Sequence, residues 1–248
     1  EGRVGHRRML GIGAYALFAE QYDEAEYVDG GLAFIQHMLD RNVNVGGRFP
    51  ELEDHDFVEF LTPDGAPYRQ GGDIICDPGH ALEYVGFSLK FLDVIESQCS
   101  LTEAHRKRCA DLRGNLLPVL HRVFPIGFNE RGGGMYKTCS LNRRAPVNSD
   151  MPWWNLPETM RSAMFAWHAS GDDAARLDCL EIVRKCSNAF LGNYVNPGVY
   201  YMAHQTLDEN GHPVPIVPAT PDADPGFHTG LSIIDFLEQL DRATHGAS

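Results

Sequence analysis

Two histidines of this chain occur in matching sequence surroundings. An Asp-Pro-Gly-His sequence at residues 77–80 leads into an apolar segment, and an Asp-Pro-Gly-Phe-His sequence at residues 224–228 leads into another. In each copy a Pro-Gly turn ends the preceding segment and places the histidine where a helix begins. The repeat therefore predicts that the imidazoles of His80 and His228 converge on one cavity.

Two imidazoles on opposite sides of a substrate suit one kind of chemistry. A single base tends to return a proton to the face of the carbon atom from which it came. Two opposed imidazoles with pKa values near neutrality can exchange the roles of proton acceptor and proton donor. The pair is therefore suited to moving a proton from one face of a carbon atom to the other.

The turn-rich segments before the two histidines also match. Residues 60–67 and residues 207–213 each place an Asp/Gly or Asn/Gly turn between strand-like residues, which predicts two β-hairpins. Seven helical segments surround these hairpins, and most are grouped in pairs. We predict the helices at residues 9–22, 24–41, about 80–96, about 102–123, about 157–169, 173–191 and about 229–242.

Helix pairs that alternate with long loops are typical of an α/α toroid, in which helical hairpins stack in a ring and the loops form a pocket on one face. A closed ring of six hairpins has about twelve helices, so seven predict an incomplete ring. We expect residues 1–248 to form one such domain that lacks the N-terminal helices of the full ring.

Composition limits the function classes. A chain of 248 residues with 43% hydrophobic content can bury a substantial core. The net charge of −13 and the pI of about 5.2 give no basic surface for nucleic acid or an anionic membrane. No apolar run approaches the roughly 20 residues that span a bilayer. We expect a cytoplasmic protein with neither nucleic acid nor membrane as a partner.

Neither the cysteines nor the acidic residues predict a metal site. The six cysteines form no Cys-x-x-Cys pair, which favours free buried thiols over a disulfide framework or a zinc site. The histidines lack spacing such as His-x-x-x-His. The acidic run at residues 51–56 lacks the glycine and the distal Glu of a calcium loop, which favours a solvated loop. We expect no metal and no redox cofactor.

Four motifs match a known family in the family's order. Residues 78–83 resemble the Pro-Gly-His-x-x-Glu motif of the N-acylglucosamine 2-epimerase family. Residues 153–158 look like its Trp-Trp-Pro-x-x-Glu segment. Residues 198–213 and then 224–228 are similar to its last hairpin and its second histidine. The resemblance covers most of the chain from about Met9 onward.

The resemblance implies an all-α fold, the α/α toroid of six-hairpin type, with short β-hairpins in the loops between helix pairs. It implies 2-epimerisation of a reducing hexose, N-acylated or not, with His80 and His228 as the catalytic pair. Glu83 and Glu158 can bind the sugar or simply favour the first turns of their helices. The substrate-binding residues that we expect are Glu83, Trp153, Trp154, Glu158 and, at the pocket rim, Glu51. Of the two indoles, we expect one in the core and one as a platform for the sugar ring.

The sequence also departs from the family pattern. Met151 stands where the family usually has Lys, and Gly230 and Leu231 stand where it usually has Pro-Arg. These departures leave the identity of the sugar open, and a homodimer is left open as well.

Three other functions are also consistent with the sequence. An aldose–ketose isomerase shares the deprotonation step and differs in where the proton returns. A glycoside hydrolase needs two carboxylates across the scissile bond, for which Asp77 and Glu83 are candidates. A binding protein with an inactive pocket is the third alternative.

Overall fold

The computed structural model describes residues 3–4, 9–199, 202–216 and 230–245. The α-helices in these residues are α1 (Met9–Gln21), α2 (Ala25–Asn42), α3 (Pro78–Gln98), α4 (Glu103–Gly127), α5 (Asn155–Ala169), α6 (Asp173–Ala189) and α7 (Ser232–His245). The strands are β1 (Arg3–Val4), β2 (Phe60–Leu61), β3 (Arg69–Gln70), β4 (Asp73–Cys76), β5 (Phe128–Asn129), β6 (Gly134–Met135), β7 (Thr138–Ser140), β8 (Ala145–Asn148), β9 (Met151–Pro152), β10 (Val195–Asn196), β11 (Met202–Ala203) and β12 (Thr206–Leu207).

The helix starts follow from local capping chemistry. The Asp77 side chain accepts a hydrogen bond from the backbone N–H of His80, and Pro78 occupies the first turn of α3, where its missing N–H is not needed. Thr102 caps α4 as predicted, in a capping box with His105. All seven predicted helices are present, and α3 and α5 begin about two residues earlier than expected.

The helices form two layers. The helices α1, α3, α5 and α7 pack side by side in that order and form the inner layer. The helices α2, α4 and α6 pack on α1, α3 and α5 respectively from outside. A cavity of about 230 Å³ on the inner side is lined by residues from α1, α3, α5 and the start of α7. The arrangement confirms the predicted series of helix pairs.

The helix α3 lies at the centre of the core. Its sequence is apolar on almost every side, and its residues are buried from Pro78 to Ile95 with few interruptions. Two glycines allow α5 to approach it closely. A Cβ at Gly79 would overlap the Asn155 side chain, and a Cβ at Gly86 would lie 2.5 Å from the hydroxyl of Ser162. Close packing of α3 on α5 therefore brings the starts of both helices together.

Both predicted hairpins are confirmed, and they match in detail. Leu61 bridges Pro67 in the first, and Leu207 bridges Pro213 in the second. Each turn has a glycine in the left-handed region, with φ +90° in the first and +86° in the second. The two copies of the repeat thus have the same structure in their hairpins, which end at Pro67 and Pro213.

A four-stranded antiparallel sheet, in the order β3-β4-β7-β8, joins the loop before α3 to the loop before α5. In its central pair, Cys76 faces Cys139. Because the residues that follow β4 and precede β7 are neighbours in an antiparallel pair, Asp77 and Lys137 come to lie side by side.

The predicted solvated loop at residues 51–56 is wrong for its last member. Asp56 is fully buried, and its carboxylate binds the guanidinium groups of Arg122 and Arg144. A buried carboxylate needs such partners, and these two come from α4 and from the turn between β7 and β8. The run contributes a structural ion pair that joins three segments.

The predicted free thiols are confirmed, because all six cysteines are unpaired and five of them are buried. Burial raises the pKa of Cys76 well above its usual value, which keeps that thiol protonated. Among the described helices, none has both the length and the apolar character that a membrane crossing requires.

Candidate functional site

The imidazole of His80 lies at the start of α3 between two carboxylates. Its Nδ1 is 3.2 Å from Oε1 of Glu59 and 3.3 Å from Oδ2 of Asp77. Asp77 is held in place as the cap of α3. Glu59 is held because its backbone N–H donates to the carbonyl of Ile75 on the neighbouring strand β4. The backbone thus fixes both carboxylates beside the same ring nitrogen.

Lys137 and Trp154 complete the surroundings of His80. The Lys137 ammonium donates to Oδ2 of Asp77 at 2.7 Å and lies 5.2 Å from the centroid of the Trp154 ring. Trp154 stacks on His80 with the ring centroids 5.5 Å apart and the planes inclined by 30°. These five residues, Glu59, Asp77, His80, Lys137 and Trp154, are called the His80 cluster below.

The carboxylates determine the charge of His80. Burial disfavours the imidazolium, but Asp77 and Glu59 favour it more strongly, and together they raise the pKa of His80 from 6.5 to about 9. The charge of Lys137 acts in the opposite direction. At neutral pH His80 is therefore protonated, and its pKa is well above the near-neutral value that the sequence suggested.

Glu83 lies near the same group of charges. It is buried one turn after His80 on α3. Burial alone would lower the pKa of Lys137, whereas Asp77, Glu59 and Glu83 raise it, so the ammonium stays charged. Glu83 is thus close enough to Lys137 to favour its charged form.

Glu158 belongs to a second group of buried charges. It lies in the first turn of α5 and forms an ion pair with Arg161, whose side chain is 1% exposed. The other side of Arg161 faces Asp235 of α7 at 3.6 Å, and Asp235 binds Lys90 of α3 at 2.6 Å. These four residues, Lys90, Glu158, Arg161 and Asp235, are called the Arg161 cluster below. They link α3, α5 and α7.

The two indoles are both buried. Trp153 donates from Nε1 to the side chain of Gln205 at 3.1 Å, and Trp154 packs on His80 as described. Burial agrees with the core role predicted for one of them. Contact of Trp153 and Trp154 with a sugar stays a prediction.

Glu51 lies outside both clusters. Its carboxylate is half-exposed and binds Arg69 at 2.6 Å, in the hairpin region before α3. Asp77, considered above as a hydrolase carboxylate, already accepts from Lys137 and from the His80 backbone, so its oxygens serve the His80 cluster.

The second histidine of the repeat, His228, lies outside the described residues. The helix that follows it is described. On α3, Lys90 binds Asp235 of α7, and three residues later Asp93 binds Arg242 at 2.9 Å. The second pair lies further toward the C-terminus than the first on both helices. The helices α3 and α7 therefore run in the same direction.

Two members of the His80 cluster were missed in the sequence. Lys137 and Glu59 are far from His80 along the chain, and no motif or spacing indicates their contact. Asp77 carried a usable signal, because an Asp three residues before a histidine at a helix start is typical of an N-cap. The Arg161 cluster carried only a weak signal, the Glu158–Arg161 spacing of one helical turn.

Solved structures with a similar fold include three sugar-converting enzymes. A sugar epimerase from a ruminal bacterium superposes with a TM-score of 0.71 at 13% identity, over 96% of this chain and 54% of its own. Cellobiose 2-epimerase from Bacillus thermoamylovorans B4167 gives 0.66 at 12% identity, over 94% of this chain and 52% of its own. D-mannose isomerase gives 0.63 at 14% identity, over 96% and 56%.

The chain thus spans about half the length of these structures. At such identities the similarity concerns the fold, and it confirms the predicted all-α class and α/α-toroid architecture. No protein-family model and no curated protein sequence matches this chain.

Proposed function

We propose that this chain is a sugar 2-epimerase that inverts C2 of a reducing hexose by deprotonation and reprotonation. The observation that carries the proposal is the His80 cluster, a histidine held by two carboxylates at the start of an inner helix. The similar fold of a sugar epimerase and of a cellobiose 2-epimerase supports it. The name of the second of these enzymes places its reaction at C2 of the sugar.

His80 serves one face of the sugar. Because Nδ1 faces Glu59 and Asp77, the proton that is exchanged with the substrate is carried by Nε2. At neutral pH the imidazolium form dominates, so in one direction of the reaction His80 donates a proton to C2. In the reverse direction it must first lose that proton and then act as the base.

His228 serves the other face. When it takes the C2 proton, the electron pair of the C–H bond forms a C1–C2 double bond, and the carbonyl oxygen gains negative charge. Protonation of C2 by His80 then restores the aldehyde with inverted configuration. The parallel course of α3 and α7 supports this pairing, because the sequence repeat predicts that each histidine comes close to the start of its helix.

The proposed sugar contacts follow from position. Glu83 and Glu158, in the first two turns of α3 and α5, are the proposed partners for sugar hydroxyl groups. Trp153 and Trp154, directly before α5, are the proposed apolar contacts of the sugar, and Glu51 is the proposed contact from the outer loops. The substrate reacts in the open-chain form, because the C2 proton is acidic only beside the free aldehyde.

The runner-up is an aldose–ketose isomerase, and one observation favours it. His80 with its two carboxylates is sufficient for this reaction, because a single base can move a proton from C2 to C1 on one face. The similar fold of D-mannose isomerase is consistent with this reading. The two reactions differ in product, since an epimerase yields an aldose and an isomerase a ketose.

A panel of reducing sugars tests the proposal. We expect at least one aldohexose or glucose-terminated disaccharide to be converted into its C2 epimer, as followed by NMR of the anomeric protons. His80→Ala should lower turnover by about a hundredfold or more, the usual scale for the loss of an acid–base group. Ketose as the sole product would establish the isomerase instead. Conversion of no sugar, or full activity of His80→Ala, would contradict both.

A further inference from the structure

We infer that Lys137 is a positioning residue for His80: it holds the Asp77 carboxylate in place, and its charge weakens the attraction of that carboxylate for the imidazolium proton. The inference rests on the proposed function for its kinetic consequence, whereas its titration test does not need a substrate.

The carboxylate of Asp77 is shared by three donors. Oδ1 of Asp77 accepts from the backbone N–H of His80 at 3.3 Å, and Oδ2 lies 3.3 Å from the His80 ring nitrogen. The same Oδ2 accepts from Lys137 at 2.7 Å, the shortest of the three contacts. One side chain thus caps the helix, orients the histidine and binds the ammonium. Any change at Lys137 must be felt at His80 through Asp77.

The backbone around Lys137 is fixed by hydrogen bonds. The backbone N–H of Lys137 donates to the carbonyl of Asp150 at 2.7 Å. The next residues form β7, which pairs with β4, the strand that ends at Asp77. The backbone of Lys137 is therefore held by a hydrogen bond to Asp150 and by the paired strand that follows it, so the backbone fixes the approach of the ammonium to Asp77.

Four side chains, those of Lys137, Trp154, His80 and Asp77, form a closed ring of contacts. Lys137 lies against Trp154, Trp154 stacks on His80, and His80 returns to Asp77. Within this ring both Lys137 and His80 contact one indole and one carboxylate oxygen. Their positive charges therefore compete for the same partners.

In the part of the chain that the structure describes, charged groups facing His80 come from three segments. Asp77 lies at the start of α3, Glu59 lies just before β2, and Lys137 lies just before β7. Glu83 of α3 faces Lys137, and the side that α5 presents is the uncharged Trp154. Among these groups Lys137 alone is cationic, and its effect on the pKa of His80 is downward, against the upward effect of Asp77 and Glu59.

The opposite effects of the carboxylates and of Lys137 on the pKa of His80 have a kinetic consequence. With two carboxylates and no lysine, His80 would hold its proton too firmly to act as a base in the reverse reaction. With Lys137 present, the pKa of His80 stays at about 9, so a small fraction is deprotonated near neutrality. Lys137 thus keeps both roles of the histidine accessible.

The experiment is an NMR titration of histidine-labelled protein, with the His80 signal assigned by its loss in His80→Asn. In Lys137→Met we expect the pKa of His80 to rise by about one unit, a tenfold tighter hold on the proton, the lower end of the range for one nearby charge. Lys137→Arg keeps the charge and should restore a value near that of the native protein. Lys185→Met removes an ammonium that binds Glu130 at the surface and is the matched control.

A pKa of His80 that stays unchanged or falls in Lys137→Met would overturn the inference, as would an equal rise in Lys185→Met. If Lys137→Met does not fold, Lys137→Gln gives the same test, because it retains a donor for Asp77 without the charge. With an active sugar in hand, kcat in the direction that uses His80 as base should fall about tenfold at neutral pH, with KM unchanged. A changed KM with an unmoved pKa would instead mean that Lys137 binds the sugar.

Discussion

The two copies of the histidine unit begin alike and continue in different surroundings. Leu89 and Leu237 both lie nine residues after their histidine (89 − 80 and 237 − 228), yet Leu89 is 2% exposed and Leu237 is 52% exposed. The helix α3 packs against α1, α4 and α5, whereas α7 packs mainly against α5. The local sequence therefore determines the hairpin and the helix, and the number of neighbouring helices determines burial.

The two helices are also held by different interactions. The core contacts of α3 are made by apolar side chains along most of its length. The residues that α7 buries are the polar Ser232, Asp235 and Gln239, and its apolar Ile234 and Leu237 are exposed. The first copy is thus anchored by fully buried apolar side chains, and the second by the partly buried Ile233 and Phe236 together with the Arg161 cluster.

The largest effect should come from breaking that anchor. Arg161→Met leaves Glu158 without its buried partner and removes the link from α5 to Asp235. Removal of one member of a buried ion pair costs about 3 to 5 kcal/mol. We expect the free energy of unfolding in urea to fall by that amount. Arg184→Met, which removes an exposed pair with Glu181 on α6, should change it by less than about 0.5 kcal/mol. Equal losses in both variants would mean that α7 is not anchored by charge.

Next in size is the matched pair of leucines. Leu89→Ala should lower the free energy of unfolding by about 2 to 5 kcal/mol, because it leaves a cavity in the core. Leu237→Ala, at the equivalent position of the second copy, should lower it by less than about 0.5 kcal/mol. Chemical denaturation of both variants checks the comparison. A large loss in Leu237→Ala would show that this face of α7 is covered in solution.

The third prediction concerns pH. The pKa of His80 is raised from 6.5 to about 9, so the folded state binds this proton more tightly than the unfolded chain. The resulting stabilisation is complete below pH 6.5 and is lost as pH rises through about 9. It is on the order of 3 kcal/mol.

The difference between the free energies of unfolding at pH 6 and pH 9 measures it. The difference should shrink in Glu59→Gln, which removes one of the two carboxylates. The same measurement on His228→Gln shows whether the second histidine has a comparable environment. A pH dependence that is identical in the native protein and His80→Gln would refute the assignment for His80.

The parts of the fold that follow from local rules were predictable. Thr102 caps α4 because its hydroxyl can bind the helix N-terminus, and the Gly65 and Gly211 turns follow from residues that tolerate positive φ. The contacts between distant segments were not predictable. Asp56 looks like a loop residue in the sequence, and only the arrival of Arg122 and Arg144 makes its burial favourable.

The candidate site also combines features that the local sequence predicts with contacts between distant segments that it does not. The residue type and position of His80 were visible because the motif and the helix start are local. Its protonation was not visible, because Glu59 and Lys137 reach it through the pairing of β4 with its neighbours. A near-neutral pKa was the reasonable expectation for an isolated histidine, and the two carboxylates are the physical reason that it is wrong.

The central claim is that His80 and His228 serve opposite faces of C2 in one site. Deuterium incorporation at C2 tests it most directly, with His80→Asn and His228→Asn each incubated in heavy water with either epimer of the substrate. We predict that each variant exchanges the C2 proton of one epimer only, that the two variants act on opposite epimers, and that neither interconverts them at more than about one hundredth of the native rate. Exchange of both epimers by one variant, or exchange of the same epimer by both, would contradict the claim.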